Sequence, residues 1–280
     1  MDRQFTHGRV SALEAQRTDS LYQPRLAELL ARELRRGILR GDVPDGALLP
    51  AQDELCNRFK VGKVAVREAL RILQNEGLVT VKRGNVGGAV VHYPEPNFAS
   101  RMLAMVMEAR DVRASHLATA LQELEPLCAA MCAGRSDRTT HLVPQLYTLV
   151  HESESVLSDP MTFTRLTRKF HELLVSGCGN GALVVVVGAL ESIWSPVAEG
   201  WASHAETMES YPDVQTRRAV VRVHERITAL IAEGRADGAA RLVRKHLALT
   251  QRRPLGNNPD RPITVDEGSW MTPSSNGSVI

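Results

Sequence analysis

The sequence predicts a mainly α-helical protein of two domains, in which the first domain also carries one β-hairpin. Apolar residues recur at helical spacing through residues 98–252, with no alternation of strands and helices. Aromatic residues form only 4% of the chain, so its cores must be rich in Leu, Val and Ala, a composition that favours helix. Two short strand-forming runs flank a glycine-rich turn between residues 78 and 93. A length of 280 residues suits two domains.

Composition divides the chain into five segments. Residues 1–20 are polar and aperiodic, which predicts a mobile arm. Residues 21–93 form the predicted first domain, and residues 94–97 form a short, stiff linker that contains two prolines. Residues 98–252 form the predicted helical domain. Residues 253–280 are rich in Pro, Gly, Asn and Ser, which predicts a disordered tail.

Three helices are predicted in the first domain. The first covers about residues 22–40, with Pro24 near its start. The second covers about residues 51–59, and a turn at residues 61–62 leads to the third, at about residues 63–76. The last two helices and the tight turn between them predict a helix-turn-helix.

A two-stranded hairpin follows the third helix directly. Residues 78–82 alternate apolar and polar side chains, as a half-buried strand does, and residues 89–93 return. The tip contains Arg83 and Gly84 and is rich in glycine, which suits a tight turn. A basic residue at such a tip can lie against a phosphate or in a narrow minor groove.

The third helix has one apolar face and one basic face. Lys63, Arg67 and Arg71 follow one another at i, i+4 and i+8. Between residues 58 and 83, seven basic residues stand against two acidic ones, whereas the whole chain has a net charge of +2. A charged stripe alone is typical of a solvated helix. Together with the hairpin and the local positive charge, it predicts a DNA-binding winged helix-turn-helix.

The second domain is predicted to be an all-α bundle of about seven helices joined by short loops. Their approximate ranges are 98–108, 112–133, 137–157, 161–177, 181–205, 212–233 and 237–252. The β-branched run at residues 183–190 has the composition of a strand. We predict a helix there, because the flanking segments are helical and no partner strand is predicted.

Three histidines lie on three predicted helices of the second domain: His171, His224 and His246. Each has apolar neighbours, so the three side chains can turn inward and share one cation such as Zn or Ni. The alternative is that they are separate core or surface histidines. Spacing alone favours this second interpretation.

Other features limit the class of protein. The sequence has no run of about 18 apolar residues and no apolar leader at its N-terminus, so we expect neither a transmembrane helix nor a signal peptide. Its four cysteines do not follow a secreted disulfide pattern, which indicates a reduced, cytoplasmic protein. No paired general base stands at a plausible spacing beside the histidines, so we do not expect an enzyme.

The first domain resembles the winged helix-turn-helix domain of the GntR superfamily of bacterial transcription regulators. The resemblance rests on LLPAQDEL (48–55), RFKVGKVAVREALRILQNEGLV (58–79) and KRGNVGGAVV (82–91). With the basic stripe, it implies a DNA-binding set composed of Lys63, Val64, Arg67, Arg71, Arg83 and Gly84. Asp53 stands where the family usually has Arg, and Gly62 stands where it usually has Ser or Thr. An acid facing phosphates is unfavourable, so docking on DNA can differ from the family norm.

The second domain resembles the FCD effector domain of the FadR subfamily. The matching stretches are ELEP (123–126), KFHELLVSGCGN (169–180) and HERITALIAEGRADGAARLVRKHL (224–247). Many such domains hold a divalent metal with one Asp and three His, and a small carboxylate effector binds at the metal. The resemblance implies an effector pocket composed of Leu121, Glu125, Thr167, His171, His224 and His246. Thr167 replaces the usual Asp and Leu121 replaces a usual Arg, and some members bind acyl thioesters without metal.

These features predict a ligand-responsive DNA-binding regulator, acting as a repressor in the cytoplasm at the nucleoid. We expect it to bind a near-palindromic operator as a homodimer and to respond to a small metabolite, either an organic acid or an acyl thioester. The first alternative is an architectural DNA-binding protein whose helical domain only dimerises. The second alternative, a metalloenzyme built on the three histidines, leaves the basic first domain unexplained.

Overall fold

The computed structural model describes residues 25–82, 88–94, 96–256 and 258–265. It divides into two compact units, Met1–Glu95 and Pro96–Ile280. The predicted arm at residues 1–20 lies outside the described residues, and so do Arg83 and Gly84 at the predicted wing tip.

The first unit contains three helices and a hairpin. Helix α1 covers residues 25–39, α2 covers Gln52–Phe59 and α3 covers Lys63–Asn75. One core joins these elements, and among its most deeply buried side chains are Ile38, Leu55, Val66, Leu73 and Val91. Their burial is the main stabilising term, at roughly 25 cal/mol per Å² of apolar surface removed from water.

The turn between α2 and α3 is fixed by its backbone. Lys60 ends α2 in the left-handed conformation, with φ at 54°, and Gly62 begins α3 in an extended conformation. At the far end of α3, Glu76 accepts a hydrogen bond of 2.7 Å from Nε of Arg35 on α1. This contact fixes α1 against the end of the helix-turn-helix.

Strands β1 (Val79–Lys82) and β2 (Gly88–Val91) form an antiparallel pair. Val79 lies opposite Val91, and Leu48 forms an additional bridge with Val90. A Cβ atom on Gly88 would lie 2.9 Å from Cδ2 of Leu48, so a larger residue there would displace the exposed Leu48 side chain. The predicted winged helix-turn-helix is thereby confirmed.

The second unit is helical throughout the part that is described, apart from its loops and one isolated bridge. Its α-helices are α4 (Pro96–Ala109), α5 (Ala114–Gly134), α6 (Val143–Ser155), α7 (Pro160–Ser176), α8 (Gly181–Thr207), α9 (Val214–Ala232), α10 (Ala236–Thr250) and α11 (Arg252–Leu255). Helix α5 is central and packs against α7, α8, α9 and α10. The predicted all-helical bundle is confirmed, and residues 183–190 are helical.

Helix α8 has 27 residues, and its most apolar stretch of 18 residues has a mean hydropathy of 1.7, which is long and apolar enough to cross a membrane. Length and composition are weak evidence for a membrane span, because a core helix meets the same criterion. In this unit, α8 packs against α4, α5 and α7, and it carries the buried acid Glu191.

Two predicted boundaries are wrong. Helix α4 already begins at Pro96, inside the predicted linker at 94–97, because proline is well tolerated in a first helical turn. The predicted helix 137–157 is divided by a π-helical turn at Arg138–Leu142. The N–H of Val143 donates to the carbonyl of Arg138 five residues back, and Pro144 follows in the first turn of α6.

The predicted disordered tail at 253–280 is wrong for its first part. Residues up to Leu255 are helical, and Pro262 pairs with Arg113 at the start of α5. Ile263 is only 3% exposed, and its N–H donates to the carbonyl of Val112 at 3.0 Å. Composition failed here because contacts with distant residues hold this segment. The N–H groups of Ala114 and Ser115 donate to the carbonyls of Arg261 and Pro259, in addition to the burial of Ile263.

Candidate functional site

The outer face of α3 is the first candidate site. Lys63, Val64 and Arg67 are exposed, and Val64 is 52% exposed although it is apolar. The opposite face, which includes Val66 and Leu73, is buried in the core. The start of α3 therefore presents two cations and an apolar side chain to solvent, a combination suited to base edges and thymine methyl groups in a major groove.

Two of the three basic residues in the stripe are paired with acids. The ammonium group of Lys63 lies 2.7 Å from the carboxylate of Asp53 on α2, and both side chains are largely exposed. Hydrogen bonding to Asp53 raises the pKa of Lys63. Arg71 donates from Nη2 to Glu68 at 2.6 Å. Within the described part of the chain, Arg67 has no such acidic partner, so it is the member of the stripe most available to DNA.

The second candidate site is a cavity of about 440 Å³ in the helical unit. Helices α5 and α7 to α11 contribute its walls. The cavity extends along α7 and α9. Thr164 and His171 lie seven residues apart on α7, which is about 10 Å along a helix, and Arg217 and His224 have the same separation on α9. The Nε2 contact of His224 with His246 defines one end of the cavity, and the contact of Thr164 with Tyr211, which lies beside Arg217, defines the other.

The three predicted histidines meet at one end. Ligand nitrogens of His171, His224 and His246 all lie within 4.8 Å of one another. Nε2 of His224 is 3.0 Å from Nε2 of His246, and Nδ1 of His171 is 2.7 Å from a carboxyl oxygen of Glu125. The sequence left open whether these histidines are separate, and the structure brings them together.

Burial keeps this cluster neutral. It lowers the pKa of His246 to about 3, lowers that of His224 well below its usual range and lowers that of His171. Burial also raises the pKa of Glu125 to about 7 and raises that of Glu191 well above its usual range, with repulsion from Glu125 adding to the latter. Neutral imidazole is the form that binds metal, so the histidines need not lose protons first.

These residues fit a divalent metal. Two nitrogens bound to one Zn ion at about 2.0–2.1 Å would lie roughly 3.0–3.4 Å apart, close to the separation of His224 and His246. Glu125 can accept a hydrogen bond from Nδ1 of His171 and orient that ring, as acids commonly do behind metal ligands. The Thr167 hydroxyl donates instead to the carbonyl of Thr164 at 2.9 Å. Three histidines with open positions are typical of sites that accept an external ligand.

The structure places most of the predicted pocket residues at the cavity. Glu125, Thr167, His171 and His246 line it. Leu121 does not line it, because its side chain is fully buried in the core of α5. His224 is 1% exposed and is not a lining residue of the cavity, but its ligand nitrogen lies within 4.8 Å of those of His171 and His246.

Sequence reasoning missed the residues of the other end. Arg217, Tyr211, Trp194 and Trp201 line the cavity there. Glu191 was missed as well, and it lines the cavity beside Glu125 at the histidine end. A signal was available for two of them. Arg217 precedes His224 by seven residues and so shares its helical face, and Glu191 is the first acid in the apolar start of α8.

A winged helix-turn-helix with a basic recognition helix, followed by a helical domain with an internal cavity, defines a two-domain transcription regulator. Residues 26–90 match the family model described as "Bacterial regulatory proteins, gntR family", and residues 116–249 match the FCD domain. The chain belongs to the GntR family of transcription regulators and carries an FCD domain.

Similar proteins are named as transcription regulators or as GntR. The HTH-type transcriptional repressor NanR of Enterobacter sp. is 27% identical over 229 residues, which cover 81% of this chain and 84% of that protein. RmpR of Mycobacterium gastri, named as an HTH-type transcriptional regulator, is 26% identical and covers 89% of this chain and 91% of its own length. A solved GntR structure from Streptococcus agalactiae has a TM-score of 0.61 at 23% identity, covering 80% of this chain and 99% of the other, and shares the fold.

Proposed function

We propose that this regulator is a ligand-responsive repressor that binds a near-palindromic operator as a homodimer. An organic acid bound in the cavity of the helical domain changes its affinity for DNA. The observation that carries this proposal is the cavity of about 440 Å³ with a cluster of neutral histidines at one end. Its size lies in the usual range for sites that bind small molecules.

The proposed dimerisation is based on the small number of base pairs that one recognition helix can contact. One recognition helix reads only a few base pairs, so a specific operator requires two copies related by a two-fold axis. Val185 and Val186 on α8 are 62% and 51% exposed although they are apolar. An exposed apolar pair on a helix of the second unit supports self-association through that unit.

The metal has a supporting role in this proposal. His171, His224 and His246 would hold a divalent ion, whose open positions would accept water or a polar atom of the ligand. Thr167 supplies no charge, so the three histidines alone would leave the charge of the ion unbalanced. Ligand binding can alter DNA affinity only if it favours one arrangement of the dimer over another.

The alternative is an architectural DNA-binding protein with a non-responsive helical domain. The cavity supports the ligand-responsive proposal over this alternative, because a domain that only dimerises does not require a lined internal site. Both domains and the relatives are those of transcription regulators, which are not enzymes.

The test begins with selection of DNA fragments by the purified protein. We expect recovered sites to contain two inverted half-sites and to bind two chains, as measured by light scattering and fluorescence anisotropy. A panel of organic acids and acyl thioesters is then added to the complex. A single chain on each DNA would contradict the dimer, and unchanged DNA affinity with every bound ligand would favour the architectural alternative.

A further inference from the structure

We infer that Arg217 is an anion-binding residue of the cavity, and that the ligand is a carboxylate with an aromatic body. The inference rests on the proposed function, because it names the chemistry of the ligand that the regulator would sense. It assigns the acidic group to the end of the cavity opposite the histidines.

The guanidinium group of Arg217 is the first observation. Arg217 is 8% exposed and lines the cavity from α9. Its Nε and Nη1 atoms are buried and have no hydrogen-bond partner among the residues that the structure describes. A buried cation without an acceptor is strongly unfavourable, so a native protein that keeps one normally supplies the acceptor from a ligand.

The surrounding charges favour an anion. Arg253 lines the same cavity and adds a second cation. Asp213 is the acid nearest in sequence, but its carboxylate accepts the backbone N–H of Thr216 at 2.7 Å and caps α9. The charges of Arg217 and Arg253 help to lower the pKa of Asp213, but the described structure shows no direct ion pair between this carboxylate and either cation. The acids that line the cavity, Glu125 and Glu191, belong to the histidine end, because Glu125 contacts His171.

Aromatic side chains surround this end. The guanidinium carbon of Arg217 lies 5.5 Å from the centre of the Tyr211 ring, and the ring of Trp201 lies 5.4 Å from the same ring. Trp194 and Phe163 also line the cavity. The Tyr211 hydroxyl contacts that of Thr164 at 2.6 Å, which fixes the ring. A planar apolar body can pack against these rings while its carboxylate meets the guanidinium fork.

The anion-binding role is tested with three aryl acids and their neutral amides. The acids are phenylacetate, 3-phenylpropionate and 4-phenylbutyrate, and binding to the full chain is measured by calorimetry. We expect at least one acid to bind, and its amide to bind about tenfold more weakly, because the amide lacks the charge that Arg217 pairs with. Arg217→Gln should remove this difference.

Arg218→Gln is the matched control. Arg218 is the next residue, but it is exposed and pairs with Glu154 at 2.9 Å. This variant should bind the acid as the wild type does. Binding of no acid, equal binding of acid and amide to the wild type, or equal acid binding by Arg217→Gln would overturn the inference.

A second measurement needs no ligand. Since the free protein buries an unpaired guanidinium, Arg217→Met should raise its melting temperature, whereas Arg218→Met should not. A lower melting temperature for Arg217→Met would show that Arg217 is a structural residue. Failure of the inference is also distinguishable from failure of the proposed function. If an acid binds through Arg217 but leaves operator affinity unchanged, only the proposed regulatory function is contradicted. If an acid releases DNA equally well from the wild type and from Arg217→Gln, only the anion-binding role of Arg217 is contradicted.

Discussion

The carboxylate of Asp53 holds the ammonium group of Lys63 at 2.7 Å, across the turn that joins the two helices of the helix-turn-helix. The acid thus masks a cation at the start of the recognition helix. DNA must either compete with Asp53 for Lys63 or accept both charges together.

Asp53→Ala should therefore increase affinity for DNA of random sequence. It should also make the dependence of log K on log salt steeper by about one phosphate contact, because a free Lys63 can then neutralise a phosphate. Glu54→Ala is the control, since Glu54 is an exposed neighbouring acid. Equal salt slopes for the two variants would show that the pair with Lys63 does not affect DNA binding.

Arg67→Ala should weaken binding to the selected operator more than Lys63→Ala does. Lys63 must give up its ion pair with Asp53 to contact DNA, whereas Arg67 has no acidic partner in the described part of the chain. A lost contact to a base edge corresponds to about tenfold or more in affinity. Fluorescence anisotropy at fixed salt measures the effect. Arg36→Ala is the control, because Arg36 is an exposed residue of α1 that pairs with Glu33. If Arg36→Ala weakened operator binding as much as Arg67→Ala, the assignment of the outer face of α3 as the DNA-binding face would be contradicted.

Metal binding is the third prediction. Thr167→Asp should tighten binding, because it adds a charged oxygen one helical turn from His171, and His224→Ala should abolish it. The pKa values of the buried histidines are lowered, so metal should be retained to more acidic pH than for exposed histidines.

The measurement is metal content after incubation with Zn or Ni and dialysis at several pH values. His151→Ala is the control, at an exposed histidine. Absence of metal from the wild type and from Thr167→Asp alike would mean that the cluster is held together by hydrogen bonding alone.

Glu125 makes stability depend on pH in the metal-free protein. Its pKa is raised from 4.5 to about 7, so the folded state holds a proton that the unfolded state has lost. The corresponding stability is fully present below pH 4.5 and is lost as pH rises through about 7. Glu125→Gln cannot titrate, so its melting temperature should fall less between pH 5 and pH 8. Histidine titration is common to both proteins, and identical pH profiles would contradict the raised pKa.

The C-terminal segment should be required for stability. Ile263 is 3% exposed, and Ile263→Ala should destabilise the helical unit by about 2–5 kcal/mol. Leu249→Ala is the control, because Leu249 is 54% exposed. A chain that ends at residue 252 should melt earlier than one that ends at residue 265, because it lacks the segment that contains Ile263. Equal melting of both shortened chains would contradict this prediction.

Local patterns were sufficient to predict most of the fold. The helix-turn-helix, the hairpin and the helices of the bundle all follow from periodicity and from turn residues, which are short-range signals. Long-range contacts were not predictable in this way. The anchoring of Ile263 beside Val112 depends on packing between distant segments, so composition alone predicted a disordered tail.

The candidate sites show the same division. The resemblance singled out His171, His224 and His246, whereas spacing alone favoured separate histidines, and only the coordinates show that their nitrogens converge. Periodicity placed Lys63 and Arg71 on an exposed face, but their acidic partners come from tertiary contact and from side-chain rotamers. Arg217 was overlooked because nothing in a single sequence shows that an arginine is buried without a partner.

The return of the C-terminal segment to the start of α5 also decides when the second unit can be completed during synthesis. The bond from Ile263 to Val112 joins positions about 150 residues apart. At the usual rate of translation, roughly 8–30 s separate the two positions at the ribosome. The DNA-binding unit, whose strand β2 ends at Val91, has all its elements much earlier. The nascent chain therefore carries every element of the first unit while the second unit still lacks the segment that pairs with the start of α5.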